Sequence, residues 1–128
     1  MTDLITVLLV EPGQAPRITQ IGNDLTSMQA VVGGPIQAVY PFDQPVALIC
    51  HEEGKLRGLP LNRALRDKDG SIYDVISGPF FLCSAPGDSN AFDGLSRQQL
   101  NRFDALFKKP ELFVPFNGTL VCIPLLAD

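Results

Sequence analysis

Between Cys50 and Gly78 the chain reads CHEEGKLRGLPLNRALRDKDGSIYDVISG, and most of its chemistry-bearing side chains lie there. The single histidine, His51, follows Cys50 and precedes Glu52 and Glu53; Asn62 and Arg63 come next, then Asp67, Asp69 and Gly70. An imidazole beside a thiol or a carboxylate suggests nucleophilic or acid–base work. An Asn-Arg pair offers an amide and a guanidinium fork suited to carboxylate or phosphate. An acidic turn ending in glycine has part of a calcium loop.

Each possibility meets a plainer reading. Cys50 and His51 are neighbours on an expected strand, so their side chains point to opposite faces and cannot form a reactive pair. His51 is expected at a surface or edge beside the Glu52-Glu53-Gly54 turn. Cys50, Cys83 and Cys122 with His51 add up to four zinc ligands, but no two of the cysteines are close in sequence, and buried thiols acting as small hydrophobes fit better. Gly33-Gly34 follows an expected helix and precedes Pro35, which makes it a helix stop; a phosphate-binding loop would place its glycines ahead of the helix. Asp67-x-Asp69-Gly70 lacks the later ligands of a calcium loop, and adjacent acids in turns are normally solvated. No catalytic residue, metal site or cofactor is therefore assigned. Asn62 and Arg63 remain the foremost binding candidates, with His51, Glu53, Gly33 and Gly34 beside them. The structural alternative has Asn62 capping a helical turn and Arg63 pairing with Asp67.

Eleven glycines and eleven prolines in 128 residues exclude a helical bundle and favour short elements joined by tight turns. Hydrophobic residues at 45% against 19% charged are enough for one packed core. Leu4–Val10 and Arg17–Ile21 read as an opening hairpin; Asn23 or Asp24 caps a short helix ending at Val32. Ile36–Tyr40 and Val46–Cys50 follow as strands, Asn62–Arg66 as a helical turn, and Ile72–Ile76 and Phe80–Cys83 as central strands. Ala85–Gly94 has loop composition. Ser96 caps the longer helix, Arg97–Lys108, and Asn117-Gly118 turns into a last strand, Thr119–Ile123. The expectation is one α+β domain over residues 1–128, a mostly antiparallel sheet with one short and one longer helix.

A formal net charge of −4, with ten scattered basic residues, disfavours direct binding to nucleic acid. The N-terminus has no basic region of a signal peptide, and no apolar run approaches the ~20 residues of a membrane span. Three widely spaced cysteines fit a reducing cytoplasm.

The succession VVGGPIQAVYPF, VALICHEEGKLRGLPLNRAL, IYDVISGPFFLC and LSRQQLNRFDALFKKPELF resembles a domain-of-unknown-function family of Gram-positive (Firmicutes) gut bacteria, their phages and conjugative elements. Its motif order matches at Gly33-Gly34, Glu53-Gly54, Asn62-Arg63 and Gly78, over Leu4 to about Phe113. The resemblance implies no catalytic residue. It implies the setting of small accessory proteins that bind host or rival proteins. The expected function is thus a cytoplasmic, non-enzymatic interaction or accessory factor with a protein partner. The alternative is a small-molecule or nucleotide-binding module built on Asn62 and Arg63.

Overall fold

The computed structural model describes residues 3–87 and 91–125. Five strands form one antiparallel sheet: β1 (Leu4–Val10), β2 (Arg17–Gly22), β3 (Ile36–Val39), β4 (Val46–His51) and β7 (Phe80–Ser84), in the order β2-β1-β7-β4-β3. Two further hairpins stand apart from it, β5 (Leu61–Arg66) with β6 (Ile72–Ser77) and β8 (Glu111–Phe116) with β9 (Thr119–Pro124). The helices are α1 (Leu25–Val32) and α2 (Arg97–Leu106). This is the expected α+β fold.

The three central strands are covered on both faces, which explains why they read as continuous apolar runs rather than alternating ones. Ile5, Val7 and Leu9 of β1 share one face with Ala47, Ile49, Phe81 and Cys83, and α1 covers it with Met28 and Val32. Leu8, Val10, Val46, Leu48, Phe80 and Leu82 point to the other face, beneath Phe103 and Phe107 and the β5–β6 residues Leu65 and Ile76. Phe80 and Phe107 meet edge to face at 5.4 Å between ring centroids, a geometry that aromatic quadrupoles favour.

Local signals set the ends of the helices. The Asp24 carboxylate accepts from the Ser27 amide at 2.7 Å, and Gly33 closes α1 in the left-handed conformation, φ 85°, that a side chain would resist. Ser96 and Gln99 form a reciprocal capping box on α2. Asp67 accepts from the amides of Asp69 and Ser71 and so shapes the β5–β6 turn. Asn117 and Gly118, both at positive φ, form the tight β8–β9 turn.

Two expectations are corrected. Asn62–Arg66 is strand, not a helical turn. Ile72–Ile76 lies in the small β5–β6 sheet instead of the centre of the large one. Glu111–Phe116, to which no element was assigned, is a further strand. Pro115 faces Leu120 one step from the Phe116–Thr119 pair that closes the turn, so the N–H it lacks would point away from β9 and no ladder bond is lost. Residues 88–90 of the expected loop Ala85–Gly94 fall outside the described residues.

Candidate functional site

The Asn62-Arg63 pair is wholly buried. A register shift between Leu61 and Arg63 interrupts the β5–β6 ladder at Asn62. Such a bulge cancels strand alternation and turns two successive side chains inward. The Asn62 amide donates both its hydrogens, to the carbonyls of Val10 and Gly78, each at 2.9 Å. Its Oδ1 accepts from Arg63 Nη1 at 2.8 Å.

The guanidinium makes five hydrogen bonds, as many as it has N–H groups. Nε and Nη2 both donate to the Phe107 carbonyl, at 3.2 and 3.0 Å; Nη2 also reaches the Gln14 carbonyl at 2.6 Å, and Nη1 the Asn62 carbonyl at 3.3 Å. A cation therefore sits at the C-terminal end of α2, where carbonyls lack helical partners and the dipole is negative. Burial lowers the Arg63 pKa and Glu111 opposes the shift. Asn62 neither caps a helical turn nor does Arg63 pair with Asp67. Together they tie β5 to the end of β1, the turn after it, the Gly78 turn and the end of α2.

His51 is buried at 6% exposure, not at the surface or edge where the sequence suggested. The cause is its pairing opposite Ile36 and a turn that folds back over it: Nδ1 accepts the Glu53 amide at 2.9 Å. Its Nε2 lies against Gly34, where an added Cβ would come within 2.4 Å. Four residues noted separately in the sequence, Gly33, Gly34, His51 and Glu53, thus meet at one corner. The amides of Gly33 and Gly34 both donate to the Gln29 carbonyl and close the helix. The Glu53 carboxylate lies 3.8 Å from Arg57.

Beside this corner is a cleft of about 160 Å³. Cys50, Ile76 and Ser77 line it, and Lys55 and Asp74 stand in it as an ion pair. Ser77 is 5% exposed, and its Oγ has no hydrogen-bond partner among the described residues. Burial, and then Asp74, push the Cys50 thiol's pKa up; burial alone raises Cys83 to about 12. Neither thiol is held as the thiolate that nucleophilic chemistry needs.

The residues that sequence reasoning missed lie on β8–β9. Glu111 anchors this hairpin: one carboxylate oxygen accepts the Ala64 amide at 3.1 Å, and the other accepts Arg66 at 3.0 Å and the Cys122 thiol. Burial pushes the Glu111 pKa up, but the hydrogen bonds from Cys122, Arg66 and Ala64 outweigh it and hold the carboxyl below its ordinary value. Glu111, Phe113 and Cys122 turn toward β5–β6. The opposite face carries Leu112 across from Ile123, Val114 across from Val121, and Phe116 across from Thr119. All six are exposed, Phe116 at 64%. After Glu111 the segment ELFVPF is apolar throughout, so no alternation in it says which face would be covered.

Two outcomes are expected. Replacing Arg63 with Met should cost about 3–5 kcal/mol in urea denaturation, because it leaves buried acceptors unpaired, whereas Arg17→Met at the surface should stay within about 0.5 kcal/mol. Arg63→Lys should also destabilise, since three ammonium hydrogens cannot span the same oxygens. For Glu111, whose folded pKa is depressed, the anchoring is complete above the ordinary value near 4.3 and is lost as pH falls through the lowered one. Amide exchange in β8–β9 should therefore accelerate ahead of the five-stranded sheet below about pH 4. Equal protection of hairpin and sheet across that range would contradict the anchoring role.

No helix among the described residues is long and apolar enough to cross a membrane. No curated protein and no solved structure matches this chain. A family model does, over residues 5–108, covering both helices and strands β1–β7 and stopping short of β8–β9. The chain belongs to the family described as Domain of unknown function (DUF3846).

Proposed function

We propose that the chain is a non-catalytic protein-interaction factor whose docking surface is the bare face of the β8–β9 hairpin. The observation that carries this reading is the uncharged patch formed by Leu112, Val114, Phe116, Val121 and Ile123, with Leu125 beside it at 39% exposure. Exposed contiguous apolar area on this scale marks an interaction surface.

The partner this face fits is a second copy of the chain. Pro115 and Pro124 both occupy positions whose missing N–H would face away from the hairpin, so each outer edge has a gap where an added strand would need a donor. Docking is thereby directed to the face. An isologous pair places the patch against itself, which buries no charge although each chain carries −4. Roughly 500 Å² of apolar surface from each copy reaches the total of about 1,000 Å² that a specific interface needs.

A non-enzymatic role is supported by protonated buried thiols and by a histidine whose Nδ1 is already engaged. Three free thiols suit a reducing cytoplasm. An accessory role in a phage or mobile element follows from the resemblance and suits a small docking protein. The alternative, ligand binding through Asn62 and Arg63, lacks free donors at those residues.

Sedimentation velocity tests the reading. The wild type should sediment at twice the 13.9 kDa chain mass at micromolar concentration. Phe116→Asp and Val121→Asp should be monomers with stability changed by no more than about 0.5 kcal/mol. A monomeric wild type at 100-fold higher concentration, or dimeric variants, would refute self-docking through this face.

A further inference from the structure

We infer that His51 is a proton-operated catch on the 52–59 turn: the neutral imidazole holds the turn closed, and the imidazolium releases it. The device does not depend on whether two copies pair.

The hydrogen bonding of the ring carries this. His51 is the chain's one histidine, buried at the end of β4. Its Nδ1 accepts the Glu53 amide at 2.9 Å, so the ring proton of the closed form is on Nε2. A second proton must go to Nδ1, which sets one N–H against another across that distance. The ring has little room to retreat, because its other nitrogen is seated against Gly34, where an added Cβ would come within 2.4 Å. The bond to Glu53 therefore breaks and the amide moves away.

The part that moves is bounded by two anchors. The Glu52 amide donates to the Pro35 carbonyl at 2.8 Å, and Leu59 packs against Gly78 so closely that a Cβ there would come within 2.8 Å of it. Residues 53–58 lie between them. Leu56 at their tip is 87% exposed and adds no buried apolar area. Their two ion pairs, Lys55 with Asp74 and Arg57 with Glu53, are exposed and worth little. The His51 bond is thus a large share of what keeps this segment down, as is usual where a turn has few buried contacts.

The charges around the ring suit the released form. Glu52, Glu53, Asp74 and Lys55 share its cleft with the Cys50 thiol, and Arg57 lies against Glu53. Ile36 across from it on β3, Gln37 beside the cleft, and the helix stop at Gly33 and Gly34 bring no ionisable group. Once the Glu53 amide has left, a carboxylate of the same turn can accept the new Nδ1–H, so one hydrogen bond replaces another and the proton comes from water. The sign follows: the turn is closed while the imidazole is neutral and opens as pH falls through its titration. Histidine is the side chain that ordinarily changes charge between about pH 5 and 8, whereas carboxylates do so nearer pH 4.

The test is an NMR titration of the whole chain from pH 8 to pH 5 that follows the imidazole nitrogens and the backbone amides together. At pH 8 Nε2 should carry the proton and Nδ1 should show an acceptor's shift. On acidification, imidazole protonation and the shifts of the Glu53, Gly54 and Arg57 amides should share one midpoint. Exchange of the Glu53 amide, corrected for its intrinsic pH dependence, should be about ten-fold faster at pH 5.5 than at pH 7.5, with the amides of β1 and β7 unchanged. His51→Asn places an oxygen near the Nδ1 position that accepts the amide and takes no proton, so its turn should stay closed throughout. The inference is overturned if the imidazole titrates while the Glu53 amide keeps its shift and protection, if the imidazole stays neutral down to pH 5, or if His51→Asn shows the same transition as the wild type.

Discussion

The Arg63 guanidinium is the constraint on which the rest of the architecture hangs. It is fully buried with no carboxylate among the described residues in hydrogen-bond contact, and its donors are met by three backbone carbonyls and the Asn62 side chain. Burying a cation this way is tolerable only if every donor is satisfied at once. That condition fixes four segments together: the bulge in β5, the turn after β1, the Gly78 turn reached through Asn62, and the end of α2. The last of these also sets Phe107 against Phe80, so the polar tie and the aromatic contact position the same helix.

The exposed surfaces follow from what this tie leaves over. With β5 held against the sheet, its partner β6 projects Asp74 toward Lys55 and encloses Ser77 under the 52–59 turn. On the far side, Glu111 accepts from Ala64 and Arg66 of β5 and draws the C-terminal hairpin in by one face. The other face stays bare. The hairpin and its bare apolar face lie beyond the family's matched region, whereas the polar cleft lies within it.

Much of the fold was legible because local chemistry and tertiary structure agree. Asp24, Ser96 and Gln99 cap the helices as their types require; Gly33 stops one; Asp69-Gly70 and Asn117-Gly118 turn hairpins. What escaped the sequence depends on long-range partners. Residues 62–66 have the composition of a helical turn, and only pairing with β6 makes them strand. Asn62 and Arg63 look like surface binding residues because their acceptors, Val10, Gln14, Gly78 and Phe107, are distant in the chain. His51 looks exposed because nothing local shows that Gly34 leaves room for its ring. Of the candidate site residues, Gly33, Gly34, His51 and Glu53 share a corner that no spacing rule links. Ser77 carried no signal at all, since a serine ending a strand is ordinary until its burial is known.

The account's central claim is that the chemically densest stretch of this chain holds the molecule together and is not free to bind. The most direct measurement is hydrogen exchange of the Arg63 Nε–H, followed by NMR on the intact protein. Full engagement predicts a resolved Nε–H resonance that exchanges orders of magnitude more slowly than that of Arg17, whose side chain is 64% exposed. An Arg63 Nε–H exchanging as fast as that of Arg17 would contradict it and return Asn62 and Arg63 to the candidate ligand-binding residues.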